Sequence, residues 1–129
     1  MIPSPAVLSA AANVTTGSGT AAVAASLPHD GSTVWFCSGF EITVGGATVG
    51  SVVAVTLAGI LGGTQNYKLP IPSGVSTGNT LIVEFGSGYA LPSVDVNTDV
   101  VISCPSPGTG SAGVAVNIHG YKGAKQLNA

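Results

Sequence analysis

The sequence predicts an all-β protein: a single antiparallel β-sandwich of about eight strands, jelly-roll-like in arrangement. Three observations carry this. Apolar and polar residues alternate with a period of two through several short, β-branched runs, the pattern of strands with one buried face. Nineteen glycines and eight prolines are spread between those runs as punctuation. No window keeps a helical period over three turns. The alternative is an immunoglobulin-like sandwich. That fold expects its tryptophan roughly ten or more residues after the first cysteine, whereas Trp35 precedes Cys37.

Along the chain, the run Val34 to Val44 puts Val34, Phe36, Phe40, Ile42 and Val44 on one face, and Trp35, Cys37, Glu41 and Thr43 on the other. Val49, Val53, Val55 and Leu57 share a face in the next run. Leu81, Val83 and Phe85 alternate with Ile82 and Glu84. Val94, Val96, Thr98, Val100 and Ile102 alternate with Asp95, Asn97, Asp99 and Ser103. Val114, Val116 and Ile118 alternate with Ala115, Asn117 and His119. Weaker strands are expected near Val7–Val14, Thr20–Leu27 and Gln65–Leu69. Gly45-Gly46 reads as a tight hairpin, while Gly62-Gly63, Pro70 to Gly74 and Pro105 to Gly108 read as loops. The 129 residues fit one domain. An extended N-terminal arm is expected over residues 1–6, and a flexible C-terminal tail over 122–129.

Charged residues make up 6% of the chain, against roughly 25% in an ordinary soluble domain. There is no arginine. Lys68, Lys122 and Lys125 face the acids Asp30, Glu41, Glu84, Asp95 and Asp99, for a net charge of −2. This provides no basic stripe for nucleic acid and no polybasic segment for anionic lipid. The run Ala47 to Leu61 is broken by polar residues and glycines, far from the roughly 20 apolar residues of a spanning helix. The N-terminus has no basic n-region, so no secretory signal is expected. Low charge with apolar enrichment has two readings: a surface solvated by Ser, Thr, Asn and Gly, or, the one favoured here, a surface covered by neighbouring subunits. Cys37 and Cys104 fall on opposite parities and are expected to be buried free thiols.

Motifs that would carry chemistry fail at named positions. Gly108 to Gly113 matches G-x-G-x-x-G, but Val114 to His119 continues as a strand and supplies no helix N-terminus for a pyrophosphate. Asp95 to Asp99 resembles the start of a calcium loop, yet Val100 stands where glycine is required and Ser106 where glutamate is. Asn13-Val14-Thr15 is a formal glycosylation sequon without a signal segment beside it. His29 and His119 lack an adjacent nucleophile elbow, and with Cys37 and Cys104 they lack paired zinc-ligand spacing. The expectation is therefore no enzyme, no cofactor and no metal. Trp35, Tyr67, Tyr89 and Tyr121 are the candidate interface side chains, able to anchor a partner or stack on a sugar, with capping the edges of the core as the equal alternative.

From Leu57 onward, Leu57-Ala58-Gly59-Ile60-Leu61-Gly62-Gly63-Thr64-Gln65-Asn66-Tyr67-Lys68-Leu69-Pro70-Ile71-Pro72 precedes a Pro-Ser-Pro-Gly loop and a closing Ala115-Val116-Asn117-Ile118-His119-Gly120-Tyr121 strand. Over roughly residues 33–121 the chain resembles small β-sandwich virion structural proteins of tailed bacteriophages. The resemblance implies a capsid decoration or cement protein that stabilises the head by bridging coat subunits. It implies the major capsid protein and copies of itself, as a trimer, for partners, while the charge pattern above gives the expectation of no nucleic acid and no membrane. It also implies assembly in the host cytoplasm into the virion. A tail, neck or fibre accessory that binds the host surface or a glycan is the second expectation, and a cellular adhesin-like module the third. No site residues come with the resemblance.

Overall fold

A computed structural model of the chain describes residues 14–16, 22–74, 78–85, 89–111 and 113–124. Nine strands lie among them: β1 (Val14–Thr16), β2 (Val23–Leu27), β3 (Thr33–Gly45), β4 (Ser51–Ala58), β5 (Gln65–Ile71), β6 (Gly78–Glu84), β7 (Leu91–Pro92), β8 (Val100–Cys104) and β9 (Val114–Ala124). They form two antiparallel sheets, ordered β1-β9-β3-β6 with the short β7 also on β3, and β2-β8-β4-β5. The fold is the all-β sandwich that the alternation predicts.

The pairing pattern explains the order. β1 pairs with β9, β2 with β8, β3 with β6 and β4 with β5. These are the rungs of one long antiparallel hairpin with its tip at the β4–β5 turn. Wrapping that hairpin about its middle brings β9 beside β3 and β8 beside β4. A wrapped hairpin of this kind is the jelly roll. The immunoglobulin-like alternative fails here, because the first described strand pairs with the last.

Inward residues of both sheets fill the space between them. Leu27, Phe40, Ile42, Val55, Leu57, Val100, Ile102, Val116 and Ile118 are fully buried. Val83, Leu81 and Phe85 of the β6 region lie partly buried against this core, while Ile82 faces solvent, as the alternation requires.

Several sequence expectations need correction. The face of β3 changes phase. Trp35 and Cys37 are buried, then Phe40, Ile42 and Val44, while Val34 and Phe36 are only half-buried. The cause is a bulge. Cys37 pairs with Gly120 and Gly39 with His119, which leaves Ser38 as one extra residue on β3. Strict alternation cannot pass such a residue, so Val34 and Phe36 belong to the opposite face from Phe40. Cys37 therefore points inward, as Cys104 does, and the opposite parities of the two cysteines disappear. Gly39 is the position that allows the bulge, because a Cβ there would collide with the Val83 carbonyl of β6.

Gly45-Gly46 is not a hairpin. β3 and β4 lie in different sheets, and the segment turns the corner between them. Its ties are Gly45 N–H to the Gly113 carbonyl at 2.9 Å and Ala47 N–H to the Pro72 carbonyl at 3.0 Å. Val49 lies in this corner and is exposed rather than on the inner face of β4. The strand expected from Val94 begins only at Val100. Asp95 instead accepts the Asn97 N–H and the Thr98 hydroxyl, each at 2.8 Å, and curls residues 95–98 into a turn. Pro70 and Ile71 belong to β5, where an edge position tolerates a proline. Lys122 to Ala124, expected in the flexible tail, instead complete β9 opposite Thr33 to Trp35, and residues 125–129 lie outside the described residues. The N-terminal arm, the Asn13 sequon and most of the strand expected over Val7–Val14 lie outside the described residues.

Replacing Gly39 by alanine is expected to cost about 2–4 kcal/mol in urea unfolding, because backbone and not a yielding side chain meets the new methyl. Thr43→Ala, on the exposed face of the same strand, should stay within about 0.5 kcal/mol.

Candidate functional site

The four aromatic side chains expected at an interface occupy different surroundings. Trp35 stands in the core at 3% exposure. Its indole N–H donates to the Pro28 carbonyl at 2.6 Å, and Lys122 Nζ lies 5.1 Å from its ring centroid. A side chain so enclosed offers no face to a partner, which corrects that expectation. The bulge is the reason, since it turns Trp35 inward with Cys37. Tyr67 faces inward from β5 and meets Phe40 edge-on, with centroids 5.1 Å apart. Its hydroxyl donates to Gln65 Oε1 at 2.6 Å.

Tyr121 lies on the outer face of the β1-β9-β3-β6 sheet. It is the register partner of Phe36 and stacks on it at 5.3 Å. Gly123 makes room for that stack, because a Cβ there would come within 2.5 Å of Phe36 Cε2. Tyr89 is 79% exposed in the segment before β7. Of the four, Tyr89 is therefore freely presented and Tyr121 partly so.

The charged groups are spent mostly on the protein itself. In the β2–β3 turn, Asp30 accepts the Thr33 hydroxyl at 2.6 Å and the Ser32 and Thr33 N–H groups at 2.9 and 2.8 Å. Lys122 adds an ion pair at 3.1 Å. The Thr33 hydroxyl, followed by these amides, holds the Asp30 carboxyl well below the usual carboxylate range. Asp99 accepts both the backbone N–H of His29 at 2.8 Å and its Nδ1 at 2.5 Å, and its carboxyl is lowered by those bonds, the backbone one first. His119 Nε2 meets Glu41 Oε1 at 2.5 Å across β9 and β3. The Asp30 and Asp99 contacts fasten one end of the sandwich, where Gly31 N–H also bonds the Val96 carbonyl at 2.8 Å, while the His119–Glu41 pair lies within the β3–β9 ladder. Sequence reasoning missed all three pairings, because partners 70 and 78 residues apart leave no local signal.

Asp95 and Asp99, read as the start of a calcium loop, are thus used on their own turn and on His29. Among the described residues no group of three His, Cys, Asp or Glu side chains converges on a cation position. Cys37 and Cys104 are buried free thiols, as expected, and burial pushes both up to about 11. Neither therefore offers a thiolate at neutral pH. The Gly108 to Gly113 loop leads directly into β9 rather than into a helix.

Among the described residues the large exposed apolar side chains are Val49, Val52, Leu61, Ile82, Tyr89 and Val94. Val49 and Val52 flank the β3–β4 corner. Leu61 and Val94 sit at the opposite end, on either side of the Ile60–Ser93 bridge, and Ile82 projects from β6. The described exterior thus carries apolar side chains scattered over both ends of the sandwich and one edge strand rather than gathered in one patch. No protein-family model matches the chain, and no curated protein or solved structure matches it.

A carboxyl whose folded value lies below its unfolded value of about 3.9 stabilises the fold above that pH, and the contribution is lost as pH falls through the folded value. Asp30→Asn should therefore lower the thermal midpoint most at about pH 6. The gap to the parent protein should narrow steadily below about pH 4, as followed by circular dichroism across a pH series.

Proposed function

We propose that the chain is a bacteriophage virion structural protein, a capsid decoration or cement protein that stabilises the head by bridging coat subunits. One observation carries this reading. Among the described residues, Asp30, Glu41, Asp99 and Lys122 are engaged in internal pairs and Asp95 in its own turn, while six large apolar side chains face outward. Such a surface suits permanent contact with neighbouring subunits better than a life exposed to water. The resemblance over residues 33–121 supplies the setting. The buried, protonated thiols are compatible with assembly in a reducing cytoplasm.

A rigid jelly roll fits the task mechanically. Among the described residues, backbone bonds such as Gly31 N–H to the Val96 carbonyl and Ala47 N–H to the Pro72 carbonyl tie segments at both ends, and what is already ordered costs nothing further on contact. The coat protein and further copies of this chain are the partners in this reading. Tyr89, at 79% exposure, favours a second reading as a tail, neck or fibre accessory that stacks on a host-surface glycan.

The test is copy number and position in purified particles. Many copies on the head, with heads that lose heat resistance when the protein is removed, is the expected result. Its absence from particles overturns both readings. Few copies at the tail, with Tyr89→Ala or Tyr121→Ala abolishing attachment, decides for the second.

A further inference from the structure

An edge strand shows unpaired N–H and C=O groups to solvent, and proteins blunt such edges with short strands, lysines, prolines or bulges. The edges of the two sheets are treated unequally. β1 has three residues, and β2 has five and runs into Pro28. β5 has seven but carries Lys68 and Pro70, and the Pro70 carbonyl is taken by Asn79 Nδ2 at 2.8 Å. β6 also has seven residues, Gly78-Asn79-Thr80-Leu81-Ile82-Val83-Glu84, with neither lysine nor proline. It ends its sheet, and Ile82 is 58% exposed on it.

The amides that β6 turns away from β3 can be assigned. The Val83 carbonyl points toward Gly39 of β3, and Phe85 N–H bonds the Ser38 carbonyl at 2.9 Å, so odd-numbered residues bond inward. Thr80 N–H bonds its neighbour's side chain, Asn79 Oδ1, at 2.9 Å rather than a strand. Thr80, Ile82 and Glu84 therefore present their amides off the open edge.

We propose that this edge is filled by β6 of a second copy, the two strands running antiparallel across a two-fold axis at Ile82. The strand is self-complementary in that register. Ile82 of each copy exchanges both backbone bonds with its twin. Thr80 of one copy does the same with Glu84 of the other, taking over the amide that Asn79 caps in the single chain. The exposed Ile82 side chains cover one another on the outer face. The two Glu84 carboxylates lie about 13 Å apart along the strands, beyond the screening length of about 8 Å at physiological salt. The two sheets join into one continuous sheet with no other edge involved.

The choice of a second copy as occupant rests on the reading of a chain made to pack against neighbours. It departs from the three-fold cluster that the resemblance implies, because a self-complementary edge closes as a pair. Sedimentation of the full chain over a dilution series is expected to show twice the 12.5 kDa chain mass at the concentrated end. Ile82→Lys, which sets like charges face to face, should weaken association about tenfold or more without loss of the folded spectrum. Ile82→Cys should oxidise readily to a covalent dimer, since opposed residues at such a pair have Cα atoms about 5.5 Å apart. Leu61→Cys, at 63% exposure, is the control that should not, and the buried Cys37 and Cys104 do not compete. A monomer at every concentration, a trimer, or an Ile82→Lys variant of unchanged mass overturns the proposal. Each of those outcomes leaves the head-protein reading standing, because that is judged on purified particles.

Discussion

β3 and β9 face each other from Thr33–Ala124 to Val44–Val114 and make the longest ladder in the molecule. The strands that β3 and β9 also bind, β6 and β7 on one side and β1 on the other, hang from that ladder. Its register is not uniform. Above Ser38 the ladder buries Trp35 and Cys37, and below it Phe40, Ile42 and Val44. One extra residue lets a strand of 13 residues keep a dry inner face along its whole length while it coils over the opposite sheet. Without the bulge, either Trp35 or Phe40 would be turned to solvent.

Much of the fold was legible in the residues because a half-buried strand writes its orientation at every second position. Val114, Val116 and Ile118, or Leu81 and Val83, needed nothing beyond local pattern. The misreadings share one physical origin, which is chain geometry that breaks the period. The Ser38-Gly39 pair carried a signal, since glycine inside a strand pattern marks a bulge or a close backbone approach. Gly45-Gly46 could be read as a turn but not as a turn between sheets, because a corner and a hairpin need the same residues. Asp95 to Asp99 alternates as well as any strand, and only the Asp95 carboxylate's bonds to Asn97 and Thr98 decide otherwise. The contact surface was legible only as composition. Which aromatics it presents depended on the bulge, and which charges it keeps free depended on pairings between distant segments.

The distribution of charge follows from the same frame. With so few ionisable groups, each one used to tie loops is one fewer available to solvate the exterior. Asp30, Lys122, His29 and Asp99 gather at the end where the β2–β3 turn, the segment before β8 and the end of β9 meet. Lys122 also covers Trp35, so a cation that would ordinarily keep the molecule soluble instead closes the core. Apart from exposed groups such as Lys68 and Glu84, the described exterior is mostly serine, threonine, asparagine, glycine and aliphatic side chains. Such a composition is stable in company and prone to association alone.

The wrapped hairpin also bears on how the chain is made. Its rungs join β1 to β9 and β2 to β8, so the earliest strands have no partner until the latest have been synthesised. Only the β4–β5 rung is local. Because loop closure must precede the reward of long-range pairing, a fold of such high contact order closes late and slowly. On a translating ribosome the open sheets would wait, apolar faces uncovered, for Val114 to Ile118 to emerge. Attending chaperones would matter most in that interval.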